Sequence, residues 1–188
     1  MHRILPFLLA CLLLILFRIA GSWFPEALPN FQPLAALFFC GVWMAPGARG
    51  FLLPLALWAL TFPLGAGHPP GAGLFLTTLL AFAASFGLGW SMRSARAGAW
   101  LAGSVVAALM FHGITSFAAW WADPMYVKSP IGLWQSLWSG PPGGLLPSWV
   151  FLRNLVAAHV IFTGLFLLAR YGFPRMFAPR RAGHAAAC

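Results

Sequence analysis

The sequence predicts an all-α fold: a polytopic transmembrane bundle of six helices with both termini cytoplasmic. Three observations carry that expectation. Hydrophobic residues make up 61% of the 188 positions and charged residues only 7%, whereas a soluble domain carries roughly 25% charge. The few charges divide the chain into apolar runs, several of them near the roughly 20 residues that cross about 30 Å of hydrocarbon as a helix. The 11 basic residues, set against 2 acidic ones, fall mostly on one side of the resulting topology. With a mean hydropathy of +0.85, this composition excludes a water-soluble enzyme. It also excludes a disordered chain, which needs low hydrophobicity.

The first run, residues 4–20, carries Arg18 near its end, where a long cationic side chain can snorkel to the interface. A secretory signal, with Arg3 as its basic region and a cut near Ala20-Gly21-Ser22, is the alternative. Arg18 sits poorly beside such a cut, which favours an uncleaved helix. A polar, proline-rich connection follows over 21–30. The second run, 31–45, is short for a span and either tilts or dips in from the interface. It ends at the Pro46-Gly47-Ala48-Arg49-Gly50 turn. Residues 51–92 carry no charge, enough for helices at 51–66 and 72–92, with the Gly- and Pro-rich stretch around His68 as the bend.

After the junction holding Arg93 and Arg96, helix five covers 98–121. The connection 123–147 is long, and long connections tend to be functional or disordered. Trp134 and Trp138 lie four apart within it, so a short interfacial helix is expected at 130–139. Helix six covers 148–171. Residues 1–173 then form a single transmembrane helical domain and 174–188 a basic cytoplasmic tail.

Six spans put Arg3, Arg49, Arg93, Arg96, Arg170, Arg175, Arg180 and Arg181 on one side. Arg18, Lys128 and Arg153 fall on the other, together with both acids, Glu26 and Asp123. Basic residues are retained on the cytoplasmic side, which sets the orientation. The basic tail is then an anchor for anionic lipid rather than a nucleic-acid binder. Small residues recur every four positions at Thr77, Ala81, Ser85 and Gly89, and again at Ala99, Gly103 and Ala107. That spacing lets helices approach closely, within the bundle or against another membrane subunit.

Helix five carries His112, Ser116 and Asp123 at steps of four and seven, hence on roughly one face, with Thr115 beside them and Trp120 and Trp121 at the outer end. Helix six brings Arg153 and Asn154 near its outer end. His159 lies deeper, roughly 140° around the helix from Asn154. Ionisable groups within a span usually face the bundle interior. The expected site is an outward-facing pocket floored by His112 and walled by Trp120, Trp121 and Trp149. Arg153 and Asn154 would supply polar contacts, and 123–147 would form a lid. Simpler roles stand beside these: an aromatic belt for the tryptophans, interhelical hydrogen bonds for His112 and His159, and pairing of Arg153 with Asp123 or Glu26. Pairs through Glu26 and Asp123 would also gate loops over a site. His68 fits a solvated loop.

The chemistry-bearing motifs are few. Cys11, Cys40 and Cys188 have neither the spacing nor the His partners of a metal site, and no metal or cofactor is implied. HExxH, Gly-x-Ser-x-Gly and Walker sequences are absent. One Asp and one Glu are too few for most two-carboxylate catalysis. Ser116 and His112 could form a dyad at i, i+4, with nothing to build an oxyanion hole around them. Binding is favoured over catalysis.

The segment Leu28-Pro29-Asn30-Phe31-Gln32-Pro33-Leu34-Ala35-Ala36-Leu37 resembles the Pro-Asn-Phe-x-Pro-x-x-Ala-Leu signature of an uncharacterised family of small bacterial membrane proteins. The similarity extends over about residues 15–170. It includes Pro54 in an apolar helix, Thr115-Ser116-Phe117-Ala118-Ala119-Trp120, Arg153-Asn154 and Ile161-Phe162-Thr163. That family is similar in size and helix count to substrate-capture (S) components of energy-coupling-factor transporters, six-helix binders of vitamins or metals. The chain departs from the pattern at Phe62 and His159, where acids are expected, and at Ser116, where Asn is. The resemblance implies a multi-pass protein of the bacterial inner membrane and marks Asn30, Ser116, Arg153, Asn154 and His159. It also implies partners in the bilayer: a transmembrane coupling subunit and ATPases.

The leading expectation is capture of a small solute as the substrate-binding subunit of a transporter. A non-transport scaffold of the cell envelope is the alternative, and a membrane enzyme on lipid-linked substrates the third reading. A capture subunit should hold a pocket in its outer half; a scaffold should hold a filled core with His112 and Arg153 satisfied by neighbours.

Overall fold

The computed structural model describes residues 8, 12–17, 19–20, 28–61 and 71–171. These form an all-α bundle without strands: α1, helical at 12–17 and 19–20; α2 (Leu34–Met44); α3 (Arg49–Thr61); α4 (Ala72–Ser91); α5 (Ala97–Ala122); α6 (Pro130–Leu137); and α7 (Ser148–Tyr171). The sites of Glu26, Arg18, Cys11, His68, the proposed end of helix three at 62–66 and the basic tail lie outside the described residues.

α2 is the centre of the bundle. Its sequence, Leu-Ala-Ala-Leu-Phe-Phe-Cys-Gly-Val-Trp-Met, is apolar on every side, and a helix apolar all round is a buried one. Every residue from Leu34 to Gly41 is buried, and α3, α4, α5 and α7 all touch it. Phe38 stacks on Phe82 of α4 at 4.2 Å, and Phe39 packs on Trp100 of α5 at 4.8 Å. From α1, Phe17 meets Phe162 of α7 edge-on at 5.0 Å. Pro46 ends α2: the residue before a proline is pushed to extended backbone, and Ala45 has φ −152° and ψ 149°.

Close approach depends on small residues. A Cβ on Gly89 would overlap the Phe39 carbonyl oxygen, and one on Gly41 would overlap the Gly50 carbonyl oxygen. Pro54, four residues after Gly50 and inside α3, has no N–H to give that carbonyl. The oxygen freed within α3 therefore faces the bare Cα of Gly41. Ala81, Ser85 and Gly89 are buried as one stripe of α4. On α5 the buried stripe is Trp100, Gly103, Ser104, Ala107, Ala108, His112 and Ser116. Ala99 is exposed, because the stripe drifts with the 3.6-residue period and is anchored by Trp100.

The expectation of six full spans requires correction. Among the described residues, three helices are long and apolar enough to cross a membrane: α4, α5 and α7, with 20, 26 and 24 residues. α2 has 11 residues and α3 has 13, rising only about 16 and 20 Å. Prolines cause the shortfall at α2, with Pro33 at its N-cap and Pro46 just past its end. The short amphipathic helix runs over 130–137, two residues less than the Trp spacing suggested, and is capped by Ser129, whose hydroxyl accepts from the Gly132 amide.

The two ends of the bundle differ in charge. Trp43 meets Trp100 at 3.9 Å and Tyr171 at 6.5 Å, with the Arg170 guanidinium 5.5 Å over its ring. The C-termini of α2 and α7 and the N-terminus of α5 thus share one end, with Arg49, Arg93 and Arg96. Asp123, Lys128 and Arg153 lie at the other.

Candidate ligand site

A cavity of about 280 Å³ opens at the end of the bundle that holds Asp123 and Arg153. It is lined by Asn30, Gln32, Leu34 and Ala35 before and on α2, Trp58 on α3, Leu74, Thr78 and Phe82 on α4, Phe111 and Thr115 on α5, and Leu155 on α7. It exists because α2 begins late. Pro33 delays the helix, so the central position above Leu34 is filled by a turn instead of another helical layer. The aromatic wall is continuous: Trp58 and Phe111 each lie 5.3 Å from Phe82.

The polar lining is uncharged. Thr78 donates its hydroxyl to the Leu74 carbonyl at 2.8 Å, and Thr115 donates to those of Phe111 and His112 at 3.0 and 3.1 Å. Both hydroxyl protons are thus committed within their own helices, and these oxygens can only accept from a guest. The side-chain amides of Asn30 and Gln32 make no hydrogen bond among the described residues and can donate and accept. Asn30 sits in the left-handed region, φ 60°, in a turn closed by the Phe31 amide donating to the Leu28 carbonyl at 3.1 Å. Proline at the second position and Asn with positive φ at the third is the pattern of a type II turn.

The residues singled out from the sequence are dispersed around this cavity. Asn30 lines it. Asn154 is buried next to Leu155 and donates from Nδ2 to the Pro29 carbonyl at 3.1 Å. Arg153 donates from Nε and Nη2 to Asn154 Oδ1 at 3.2 and 3.1 Å, its guanidinium 5.4 Å over Trp149. The Asp123 carboxylate accepts from the Met125 amide at 2.9 Å, and its carbonyl accepts from Lys128 at 2.7 Å.

His112 and Ser116 face α6, away from the cavity. His112 Nε2 lies 2.9 Å from the Leu137 carbonyl and 3.4 Å from Ser116 Oγ. A carbonyl can only accept, so Nε2 carries the proton and offers no base to Ser116. Ser136 of α6 donates to the Ser116 carbonyl at 2.6 Å. Trp120 donates to the Val127 carbonyl at 2.9 Å, and Trp121 and Trp149 are exposed and do not line the cavity. His159 is wholly buried beside Phe39, with neither ring nitrogen hydrogen-bonded. No group of three His, Cys, Asp or Glu side chains able to hold a metal occurs among the described residues.

Gln32, Trp58 and Thr78 line the cavity without having been marked from the sequence. The available signal was a hydrogen-bonding side chain inside an otherwise apolar run, a weaker cue than an ionisable one.

A family model described as a family of unknown function, DUF6580, matches residues 1–177. The chain belongs to DUF6580. No curated protein and no solved structure matches it. In this member of DUF6580, the cavity is lined by residues of α2, α3, α4, α5 and α7.

Proposed function

We propose that this protein captures a small uncharged solute in the membrane, as the substrate-binding subunit of a transporter resembling the S components. The observation that carries the reading is the 280 Å³ cavity with an aromatic wall and an uncharged polar rim. Aromatic walls joined to a few placed polar groups are common in small-molecule sites; here polar groups make up about half of the exposed lining. The volume is just below the roughly 300–1,000 Å³ range of that class. The guest should have a flat apolar face for Trp58, Phe82 and Phe111, and an edge bearing donors for the threonine oxygens. A carboxylate or ammonium would find no counter-charge on the lining.

Orientation supports capture from outside. Arg49, Arg93, Arg96 and Arg170 lie at the end away from the cavity, where the positive-inside rule places the cytoplasm of a bacterial inner membrane. α2 and α3, too short to cross as full spans, pack among α4, α5 and α7. A coupling subunit and ATPases would then dock from the basic end.

Native mass spectrometry of the purified protein tests the proposal. The expected result is a retained small molecule, with ATPase subunits co-purifying under mild extraction. Thr115→Val and Gln32→Leu should each weaken retention roughly 3- to 10-fold, the value of one hydrogen bond. A second reading, a cell-envelope scaffold, is favoured by the satisfied state of His112 and Arg153. An empty chain co-purifying only with envelope proteins would replace the first reading with the second.

A further inference from the structure

Arg153 and Asn154 form a chain of contacts that ends on the backbone of the turn holding Asn30. The Asn154 amide is ambivalent by itself, with one acceptor oxygen and a two-proton donor. Two N–H groups of Arg153 converge on Oδ1, which fixes that end as the acceptor and leaves Nδ2 to donate. Its acceptor is the Pro29 carbonyl, 125 positions away in sequence. Pro29 C=O belongs to the central peptide of the Leu28–Phe31 turn. The flip of that peptide separates a type I turn from a type II turn and decides whether the third residue has negative or positive φ. Asn30 has φ 60°, tolerable for Asn but uncommon for a residue with a Cβ.

We propose that Arg153 and Asn154 are positioning residues for the cavity: they hold the Pro29–Asn30 peptide in its flipped state and thereby set Asn30 at the mouth. This rests on the capture reading for its purpose, though not for its geometry. Arg153 itself is exposed at the surface and does not line the cavity. The cation–π contact with Trp149 holds the guanidinium in place from the far side.

The sequence supplies a clean probe, since Asn30 and Asn154 are its two asparagines. Protein labelled with carbon-13 and nitrogen-15 asparagine, in detergent micelles without added solute, yields one set of signals for each. In the native chain the Asn30 Cα and Cβ shifts should report positive φ. Arg153→Met keeps the stem and removes the donors; it should split or move the Asn30 signals toward negative φ. Arg153→Lys, which can still donate to Oδ1, should restore them. Asn154→Leu should give the full shift. If that buried change prevents folding, the surface variant Arg153→Met decides alone. Asn30 shifts in Arg153→Met equal to those of the native chain would overturn the proposal. Its purpose is read separately, from the molecule retained in native mass spectrometry. Reduced retention in Arg153→Met with rescue by Arg153→Lys supports the positioning role. A moved Asn30 with unchanged retention would leave the mechanical link intact and remove Asn30 from the binding site.

Discussion

At the scale of single residues, the bundle is most sensitive where backbone meets backbone. Gly41 and Gly89 lie against the carbonyls of Gly50 and Phe39, with no flexible side chain between to give way. A methyl group at either must push α2 away from α3 or α4. Overpacking of this kind costs about 1–3 kcal/mol. Gly41→Ala and Gly89→Ala should therefore lower the thermal unfolding midpoint in detergent by several degrees. Gly87 is on the same helix as Gly89 with open space around its Cα, and Gly87→Ala should match or slightly exceed the native midpoint, since Ala is the better helix former. Equal midpoints for all three variants would show that the helices do not close on one another as described.

At the scale of elements, legibility followed hydrophobic length and charge. α4, α5 and α7 were readable to within a residue or so because each is a long apolar run bounded by Arg, Asp, Pro or Gly. α2 was readable as an apolar segment, but not as the buried centre: a run of 31–45 does not say what surrounds it. The cavity was harder still. The ionisable side chains of α5 and α7 are the stronger signal in the sequence, whereas the polar lining is built from Asn30, Gln32, Thr78 and Thr115, whose hydroxyl and amide groups carry no charge. His112 lies on the α6 side because α6 folds back over α5, a tertiary contact that helical periodicity does not encode.

That fold-back makes its own prediction. Tyr126, in the connection leading to α6, is buried. Burial is the largest influence on its phenol and raises its pKa, Ser136 pulls it partly back, and Asp123 raises it further. A folded-state pKa above the unfolded value of about 10 gives a contribution to stability that is complete below that pH and lost as pH rises through the folded value. With Tyr171→Phe, Tyr126 is the remaining tyrosine, and its tyrosinate absorbance should titrate with a midpoint above 10. A midpoint at or below 10 would mean that the connection is not packed onto α6.

At the scale of the whole molecule, the decisive quantity is orientation. Under the proposed capture role, the cavity would serve uptake or discharge according to which compartment it faces. The two ends are chemically unequal: one carries Arg49, Arg93, Arg96 and Arg170, the other Lys128 and Arg153 with Asp123. Basic side chains are held on the cytoplasmic side during insertion, so the cavity should open outward. Ser94, in the short α4–α5 connection, and Ser139, just after α6, are both exposed and report the two ends. In a background with Cys11, Cys40 and Cys188 replaced, Ser139→Cys should react with a membrane-impermeant maleimide in intact cells. Ser94→Cys should react only after permeabilisation. The reverse pattern would turn the cavity toward the cytoplasm and end the case for capture from outside. Labelling of both in intact cells would mean that α4 and α5 do not cross the bilayer as an antiparallel pair, and the length argument from their 20 and 26 residues would then fail with it.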